Sequence, residues 1–552
     1  MQIKEKNYFE VVIIFAVVAI TLAMTPGLNK DSLIVPKAII AFCLALFLTP
    51  ITFKNIKVIL ANRYNKILVA IALLLLIDGS LILFNSTSPI DQLIFGRMGR
   101  GLGLIIFLSA IVILIASSII IKIENLDLLL KGIVLAGLVT SAYACLQFFK
   151  LDIFKWDSKT NGIIGTLGNP NSLSSFAAMT LVPGAVIFWY SKFKVPLVVI
   201  LTSILFFTIF ISRSTQGYIG AISAILLFSL IFTWYKNKIY FFSLSLVSIV
   251  VGFVAIFGML GHGPLSYYLY KTSVQSRGDF WRAALTTGNS HPWLGVGFDS
   301  FGDFSLKYRD SITASHSFAE YTDSAHNFYL DYLATGGYPY LILNVLLTAL
   351  ALLCFFVILK SQKTFNPKIT ALFCSWSVIQ LQTVINTQTI TFISWNALIS
   401  GAIIGMTKVI SQHPEGNPTY IVDLKSKSRT SLSSIVLFIA GLIIMFPFFN
   451  SDRLIVKASN TGNGDLLIKA ATSYPQSSTK YSQASQALLE SGLPVPSLFL
   501  AQKGVQFNPN SVSLWALILI NQNASVVDRQ NARMKILELD PFNKEVKNFV
   551  IQ

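Results

Sequence analysis

The chain has 552 residues, of which 54% are hydrophobic and only 12% are charged, whereas soluble domains usually contain about 25% charged residues. This composition, with a mean hydropathy of +0.65, excludes a soluble multidomain enzyme. A formal net charge of +17 would raise the question of nucleic acid in a soluble protein, but the long apolar runs here require a bilayer, and we predict no nucleic-acid partner.

Stretches of about 20 apolar residues predict membrane-spanning helices, because the hydrocarbon core of a bilayer is about 30 Å thick. We interpret the first stretch as an uncleaved span, since no small-residue cleavage pattern follows it before Pro26. The predicted fold is therefore all-α and polytopic, with about 13 transmembrane helices. They lie at 8–25, 34–51, 67–84, 101–121, 129–149, 172–190, 195–211, 217–234, 240–260, 337–359, 369–387, 391–409 and 432–449.

The charges of the connectors predict how these helices are oriented. With the N-terminus inside, every short cytoplasmic connector is basic, as the positive-inside rule requires. The odd number of spans then places the end of the chain outside. The predicted domains are a transmembrane domain over 1–450, with a large outer loop at about 261–336, and an outer helical domain over 451–552. The cytoplasmic cations include Lys54, Lys57, Lys122, Lys131, Lys192, Lys236, Lys360, Lys363, Lys408, Lys425 and Lys427.

Arginine is concentrated on the predicted outer face, whereas the inner connectors contain almost only lysine. Arg binds phosphate through two parallel N–H groups, while Lys acts as a point charge. This distribution predicts an outward-facing site for a phosphate-bearing ligand. The alternative is that Lys serves the inner lipid surface and Arg is simply left for the outside. The outer arginines before residue 450 are Arg97, Arg100, Arg213, Arg277, Arg282 and Arg309.

The last hundred residues contain a repeat. A lysine precedes a proline by six residues in three segments, Lys469–Pro475, Lys503–Pro509 and Lys535–Pro541, with the prolines 34 and 32 residues apart. The spacing matches the 34-residue period of tetratricopeptide helix hairpins, so we predict a tetratricopeptide-like helical domain. It is interpreted either as a docking surface for a partner or acceptor or as a small helical cap.

Two short polar segments lie at predicted outer helix ends. Asn171 or Ser172 is a suitable N-cap for the sixth span, and the free amide groups of such a helix start favour an anion; the same residues also form ordinary turns. Arg213 lies between two spans with Ser, Thr and Gln neighbours that suit phosphate or sugar. Alternatively, it is an interfacial anchor.

His326 in the long loop is the strongest titratable candidate, because imidazole can take or give a proton near neutral pH. His291 and His316 are its competitors. The sequence has no His-Glu-x-x-His motif and no clustered carboxylate pair, so we predict no metal site and no cofactor. The four cysteines lie inside apolar runs and do not suggest a disulfide framework.

Five motifs together resemble the O-antigen ligase family of membrane glycosyltransferases, over roughly residues 60–410. The resemblance implies transfer of a glycan from undecaprenyl diphosphate to an acceptor, without a metal, at the periplasmic face of the bacterial inner membrane. The C-terminal domain would then be periplasmic. The motifs, in the order of the family, are Gly168-Asn-Pro-Asn171, Ser212-Arg213-Ser214, Arg277 with Phe280-Trp281, His291-Pro-Trp-Leu-Gly-Val-Gly297, and His326-Asn327 with Leu330 and Gly336-Gly337.

By this resemblance, Arg213 and Arg277 would hold the diphosphate and neutralise the leaving group, and His326 would handle the proton or orient the acceptor. Many relatives have a second His two residues earlier, where this chain has Ser324, which puts a paired-histidine mechanism in doubt. Further residues predicted to bind the diphosphate or substrate are Arg97, Arg100, Asn169, Asn171, Arg282 and Asn327.

The resemblance leaves the acceptor open. A lipid A core oligosaccharide, as in lipopolysaccharide biosynthesis, is our first prediction. A protein hydroxyl, as in protein O-oligosaccharyltransferases, and a growing glycan, as in O-antigen polymerases, are the alternatives. Outside the enzyme class, an exporter of lipid-linked glycan is the competing hypothesis, but we find no repeat between the two halves of the chain of the kind common in transporters.

Overall fold

The computed structural model describes residues 8–154, 156, 162–270, 272–316, 321–407 and 428–551. Within these ranges the regular elements are all helices, numbered α1 to α25 along the chain. The predicted cytoplasmic residues Lys408, Lys425 and Lys427 lie outside the described residues, as does the side chain of His316.

Each of the 13 predicted spans corresponds to a helix. Ten are long and apolar enough to cross a membrane, and three are shorter apolar helices, at Tyr8–Leu22, Leu104–Ile120 and Ile390–Met406. The all-α polytopic fold is therefore confirmed. The 13 helices are α1 (Tyr8–Leu22), α2 (Ile34–Lys54), α4 (Arg63–Asn85), α6 (Leu104–Ile120), α7 (Leu126–Phe148), α8 (Pro170–Trp189), α9 (Lys194–Ile211), α10 (Thr215–Lys236), α11 (Lys238–Met259), α16 (Phe328–Ser361), α17 (Pro367–Ile385), α18 (Ile390–Met406) and α19 (Ser428–Thr461).

Close backbone contact between α6 and α18 builds the centre of the bundle. A Cβ atom added at Gly401 would lie 2.2 Å from the carbonyl oxygen of Leu114, and one at Gly405 would lie 2.0 Å from that of Ser118. Small residues permit such an approach between helices in a membrane, where packing replaces the hydrophobic effect. The indole of Trp395 on α18 is fully buried and donates to the hydroxyl of Thr21 at 2.8 Å.

The connectors after α1, α4, α7, α9, α11 and α17 lie at one end of the bundle, which we call the loop end. Contacts between them define this end: the backbone N–H of Gly99 donates to Asp31 at 2.6 Å, and Gln216 donates to the carbonyl oxygen of Ile385 at 3.4 Å. The loop end also carries the short helices that follow α11. The remaining helices outside the C-terminal region are α3 (Ile56–Ala61), α5 (Ile90–Phe95), α12 (Ser266–Leu269), α13 (Thr272–Ser290), α14 (Phe301–Phe304) and α15 (Ser311–His316).

Helix α16 begins nine residues before the predicted span and turns back on itself at Gly337, where φ is 72° and ψ is −172°. The hydroxyl groups of Tyr329 and Thr348 lie 3.2 Å apart, although 19 residues of straight helix would separate them by about 28 Å. The segment 328–336 and the rest of α16 therefore form a sharp hairpin. The predicted start of the span at 337 coincides with this turn, and the segment before Gly337 is an additional helical segment.

The turn at Gly337 is held by the segment 292–297. The backbone N–H groups of Val296 and Gly297 donate to the carbonyl oxygens of Ala334 and Thr335, each at 2.9 Å. The N–H of Tyr338 donates to the carbonyl oxygen of Pro292 at 2.7 Å. Two of the five sequence motifs are thus in direct backbone contact, and their glycines allow this approach.

Replacing Gly337 by alanine should destabilise the protein by about 2 kcal/mol, because the positive φ is unfavourable for residues with a Cβ atom. The new Cβ would also lie 2.6 Å from the carbonyl oxygen of Pro292. Thermal unfolding in detergent measures this effect. Gly252→Ala is the matched control, since a Cβ there meets nothing within 4 Å. Equal stability of the two variants would contradict the structural role of Gly337.

Helix α19 extends to Thr461, through the predicted domain boundary at 450, and short helices follow it. Each of the three Lys-to-Pro segments contains the end of one helix and is followed by another, so the sequence repeat coincides with a helix-pair repeat. Its assignment as tetratricopeptide-like stays a prediction. The helices are α20 (Gly464–Ala471), α21 (Ser478–Glu490), α22 (Pro494–Phe507), α23 (Val512–Ile520), α24 (Val526–Leu539) and α25 (Lys544–Lys547).

The end of α19 and helices α20 to α25, which we call the C-terminal helices, pack against the loop end through charged groups. The carboxylate of Asp452 accepts from the backbone N–H of Asp31 at 3.0 Å, and that of Asp91 accepts from the N–H of Gln476 at 2.6 Å. Lys480 donates to the carbonyl oxygen of Pro475 at 2.9 Å. Its ammonium group also lies near the carboxylates of Asp31, Asp91 and Asp452. The C-terminal helices therefore share a buried polar interface with the loop end.

This interface predicts a pH dependence. Burial, and then the neighbouring Asp452, raise the pKa of Asp31, while the N–H of Gly99 and the ammonium groups of Lys480 and Lys30 oppose the increase. The folded protein then binds more protons than the unfolded chain at pH values above about 4, the usual pKa of Asp. The free energy of unfolding should therefore fall as pH rises from about 4 through the raised pKa.

Asp31→Asn should remove this pH dependence and stabilise the protein at pH 8 by on the order of 1 kcal/mol, since the amide oxygen can still accept from Gly99. Thermal unfolding between pH 5 and pH 8 checks this expectation. The control is Asp465→Asn, at an exposed site. A lower stability of Asp31→Asn at pH 8 would show that Asp31 is favourably ionised, contrary to the prediction.

Candidate functional site

Two sequence motifs meet at the loop end of α8 and α10. The hydroxyl of Ser214 donates to the side-chain oxygen of Asn171 at 2.7 Å. The side chain of Asn169 caps α8 by accepting from the N–H of Asn171. Arg213 lies beside Ser214 with a φ of 54°, and its side chain is exposed. The left-handed backbone, uncommon for a residue other than glycine, turns the chain between α9 and α10 at this point.

A buried lysine, Lys37, holds the segment before Asn169 in place, and sequence reasoning did not identify it. Its ammonium donates to the carbonyl oxygens of Thr166 at 2.6 Å and Thr21 at 3.3 Å, and lies 3.5 Å from the hydroxyl of Thr391. These oxygens satisfy the three donors of an ammonium group. Lys37 thereby connects the turn before α8 to three other parts of the bundle.

His326 lies just before α16, at the base of the hairpin. Its φ is 53°, and its backbone N–H donates to the hydroxyl of Ser324 at 3.1 Å. Ser324 in turn donates to the carboxylate of Asp331 at 2.7 Å. Ser324 therefore supports the backbone of His326. Asn327 accepts from the N–H groups of Tyr329 and Leu330 and so acts as the N-cap of α16.

The ring of Phe280 stacks on the imidazole of His326, with ring centroids 5.6 Å apart and an interplanar angle of 26°. Phe280 lies on α13, and Arg277 lies three residues earlier on the same helix. Residues three apart share one helix face, so Arg277 and Phe280 are neighbours on the face directed at His326. The structure thus brings two further motifs together.

Arg277 is partly buried and forms no hydrogen bond or ion pair with any described residue. Burial lowers the pKa of its guanidinium group, which indicates a cation removed from water without a compensating carboxylate. A bound anion would stabilise such a group.

Helix α17 contacts residues near Arg213 and residues near His326. Its Gln380 is 3.5 Å from the hydroxyl of Tyr329, close to His326, and the carbonyl oxygen of its Ile385 accepts from Gln216, close to Arg213. The two α17 residues are separated by five positions, which is about 7.5 Å along a helix. Gln216 and Tyr329, which follow Arg213 and His326 by three residues each, therefore both contact the last turns of α17.

Arg97 and Arg100 are enclosed by carboxylates. Arg97 forms an ion pair with Asp303 at 2.9 Å. Arg100 lies 3.1 Å from Asp299 and 3.6 Å from Asp331, and it also contacts Asp323. Burial alone would lower the pKa of both guanidinium groups, but the surrounding carboxylates raise it. Both arginines fasten the connector after α4 to the loop between α13 and α16.

Two further loop-end arginines, Arg282 and Arg309, are also ion-paired. Arg282 lies 2.5 Å from Asp279 and 2.6 Å from Asp310. Arg309 lies 2.7 Å from Asp540 of the C-terminal helices, and both side chains are buried. Among the six predicted arginines, only Arg213 and Arg277 thus lack an ion pair within the part of the chain that the structure describes.

The sequence analysis did not identify the aspartates that form ion pairs with the other four arginines. Asp299 and Asp331 directly follow or end predicted motifs, which was a usable signal. Asp303, Asp310 and Asp540 are not next to any of the motifs and carry no such signal. The predicted roles of Arg97, Arg100 and Arg282 in substrate binding stay predictions.

A cavity of about 80 Å³ lies between α4, α6, α16, α17 and α18, next to the start of α16. Its polar lining consists of hydroxyl and amide groups, so the cavity can hold several waters. Its lining includes Phe328 and Tyr329, which follow His326 by two and three residues. The polar lining residues are Tyr329, Tyr332, Tyr340, Asn344, Thr348, Gln380, Thr383, Gln388, Asn396 and Ser400.

The fold and this site define a polytopic membrane protein whose polar residues gather at one end of the bundle. Residues 197–345 match the family model described as O-antigen ligase. This match confirms, over these residues, the resemblance to the O-antigen ligase family that the sequence predicted. The matched segment contains Arg213, Arg277 and His326.

The match supports glycosyl transfer of the O-antigen ligase or polymerase type, in a membrane and with a lipid-linked glycan as substrate. A search of curated proteins found no match. Within the described residues, no group of three or more His, Cys, Asp or Glu side chains is arranged to hold a metal ion.

Proposed function

We propose that the protein transfers a glycan from undecaprenyl diphosphate to an acceptor at the periplasmic face of the bacterial inner membrane, with a lipid A core oligosaccharide as the acceptor. The catalytic residues are Arg213, Arg277 and His326, and the transfer requires no metal. The C-terminal helices lie in the periplasm.

The observation that carries this proposal is the difference in ion pairing among the six outer arginines. Four of the six at the loop end are neutralised by aspartates, whereas Arg277, next to the Phe280 that stacks on His326, has no such partner among the described residues. A free guanidinium beside an imidazole suits a reaction in which an anion leaves while a hydroxyl group loses its proton.

In the proposed reaction the acceptor hydroxyl attacks the anomeric carbon of the glycan. The bond between this carbon and the diphosphate oxygen breaks, and the electron pair leaves with the diphosphate. Arg277 stabilises the developing negative charge through its fixed N–H donors. The imidazole of His326 takes the proton of the acceptor hydroxyl, or orients this hydroxyl for attack.

Arg213 supplies a second cation for the diphosphate. Its position at the loop end of α9 and α10, held by the contact between Ser214 and Asn171, suits a lipid-linked phosphate at the membrane surface. The exposure of its side chain leaves it able to follow the diphosphate as the carrier enters.

The test incubates chelator-treated purified protein with an undecaprenyl diphosphate glycan and two acceptors, a lipid A core and a peptide containing Ser and Thr. We expect the lipid A core to gain the mass of the glycan with wild type and with His262→Ala, an exposed control, but not with His326→Ala. A mass gain on the peptide would instead identify a protein O-oligosaccharyltransferase.

Two further outcomes would overturn the proposal. A donor that grows by added repeat units, with both acceptors unchanged, would identify a polymerase. An intact donor that moves across the bilayer of a proteoliposome would identify an exporter.

A further inference from the structure

We infer that the C-terminal helices position His326, and that Asn508 at the end of α22 is the positioning residue through which they act. A series of hydrogen bonds and ion pairs, joined by the backbone between Arg97 and Arg100, connects the two residues, which are 182 positions apart in the sequence. The inference concerns the loop that carries His326, and only its activity readout rests on the proposed function.

The series begins at Asp303 on α14. Its carboxylate accepts from the side-chain amide of Asn508 at 3.0 Å, from that of Gln92 at 2.9 Å, and from Arg97 at 2.9 Å. Asn508 is fully buried. Its side-chain oxygen accepts from the backbone N–H of Asn510 at 3.1 Å, so its NH₂ group is the one that faces Asp303.

The series continues through the connector that holds both Arg97 and Arg100. Arg100 lies 3.6 Å from the carboxylate of Asp331 and also contacts the backbone of Asp323. Asp331 accepts from the hydroxyl of Ser324 at 2.7 Å, and Ser324 accepts from the N–H of His326 at 3.1 Å. All of these contacts except the neutral hydrogen bond between His326 and Ser324 involve a charged group. Hydrogen bonds to charged groups are stronger than neutral ones.

A second contact holds the same loop from the same side. Arg309, which follows α14, forms its buried ion pair with Asp540 at the end of α24. The C-terminal helices thus contact the loop at Asp303 and at Arg309. Both residues lie between α13 and His326 in the sequence. A helical cap that only covered the bundle would not need buried, charge-paired contacts on this loop, since buried charges are costly unless well paired.

The test is hydrogen exchange of the full-length protein in detergent, followed on peptides that cover 321–327. In Asn508→Ala we expect the amides around His326 to exchange about fivefold to tenfold faster. Exchange in α7, which the series does not touch, should be unchanged. The control is Asn523→Ala, at an exposed position in the same helical region. Unchanged exchange at 321–327 in Asn508→Ala would overturn the inference, as would an equal increase in α7.

A double-mutant cycle with Arg97→Gln provides the activity readout. If Asn508 acts through Asp303 and Arg97, the double variant should be no slower than Arg97→Gln alone. Effects that multiply would show that Asn508 acts by another route and would overturn the inference. Should Arg97→Gln fail to fold, the hydrogen exchange of Asn508→Ala decides the matter.

The two proposals fail in distinguishable ways. Faster exchange at 321–327 without any glycan transfer by wild type would leave the positioning role intact and contradict the proposed function. Glycan transfer by wild type together with unchanged exchange in Asn508→Ala would support the proposed function and contradict the positioning role of Asn508.

Discussion

Replacing Arg277 by lysine should lower the rate of glycan transfer by a factor on the order of 100, although the charge is kept. The planar guanidinium can donate two parallel N–H bonds to a phosphate group, and an ammonium cannot. Arg277 has no carboxylate partner among the described residues, so the substitution breaks no ion pair there. The loss should appear in kcat/KM for the undecaprenyl diphosphate donor.

The matched control is Arg453→Lys, an exposed arginine on α19, which should keep its activity. Equal thermal stability of both variants and wild type would exclude a folding defect. Near-normal turnover of Arg277→Lys would count against a role in binding the diphosphate.

Replacing His326 by alanine should reduce transfer by a factor of about 100 to 10,000, the usual contribution of a general base. The backbone of His326 is held by Ser324 and by the N-cap at Asn327, so removing the imidazole should leave the loop in place. Steady-state kinetics distinguish the two possible roles. Loss of kcat alone indicates proton transfer, whereas a raised KM for the acceptor indicates orientation of the acceptor hydroxyl.

His291→Ala serves as a second control for the His326 prediction. The ring of His291 packs edge-on against Phe304 and Tyr308, at 6.2 Å and 5.7 Å, which is a structural setting. Its loss should lower stability more than turnover. If His291→Ala abolishes transfer while His326→Ala does not, the assignment of the imidazole is wrong.

The membrane helices could be predicted from sequence because the bilayer imposes both their length and their composition. The hairpin in α16 could not be predicted in this way. The segment 328–336 contains polar residues and precedes two glycines, which resembles a loop. It is helical because Asn327 caps it and the backbone of 292–297 pairs with its end, and both facts depend on tertiary contacts.

For the site, the distribution of arginine along the sequence singled out six residues, but it could not show which of them form ion pairs with aspartates. Arg309 and Asp540 are 231 residues apart in sequence, and Arg97 and Asp303 are 206 apart. Pairings over such separations leave no local pattern. Likewise, the short contact between Ser214 and Asn171 joins two motifs that the sequence could only place in order along the chain.

The pairing of four arginines with aspartates also determines the electric field that an approaching ligand meets. The formal charge of +17 suggests a broad positive surface, yet most guanidinium charge at the loop end is cancelled within a few ångströms. Among the six outer arginines before residue 450, Arg213 and Arg277 are the two without an ion pair in the described residues, so their charges stay available to an anion. An anionic headgroup diffusing along the membrane would therefore be attracted over roughly one Debye length, about 8 Å at physiological salt, and its capture should depend on ionic strength as for a binder with two charges.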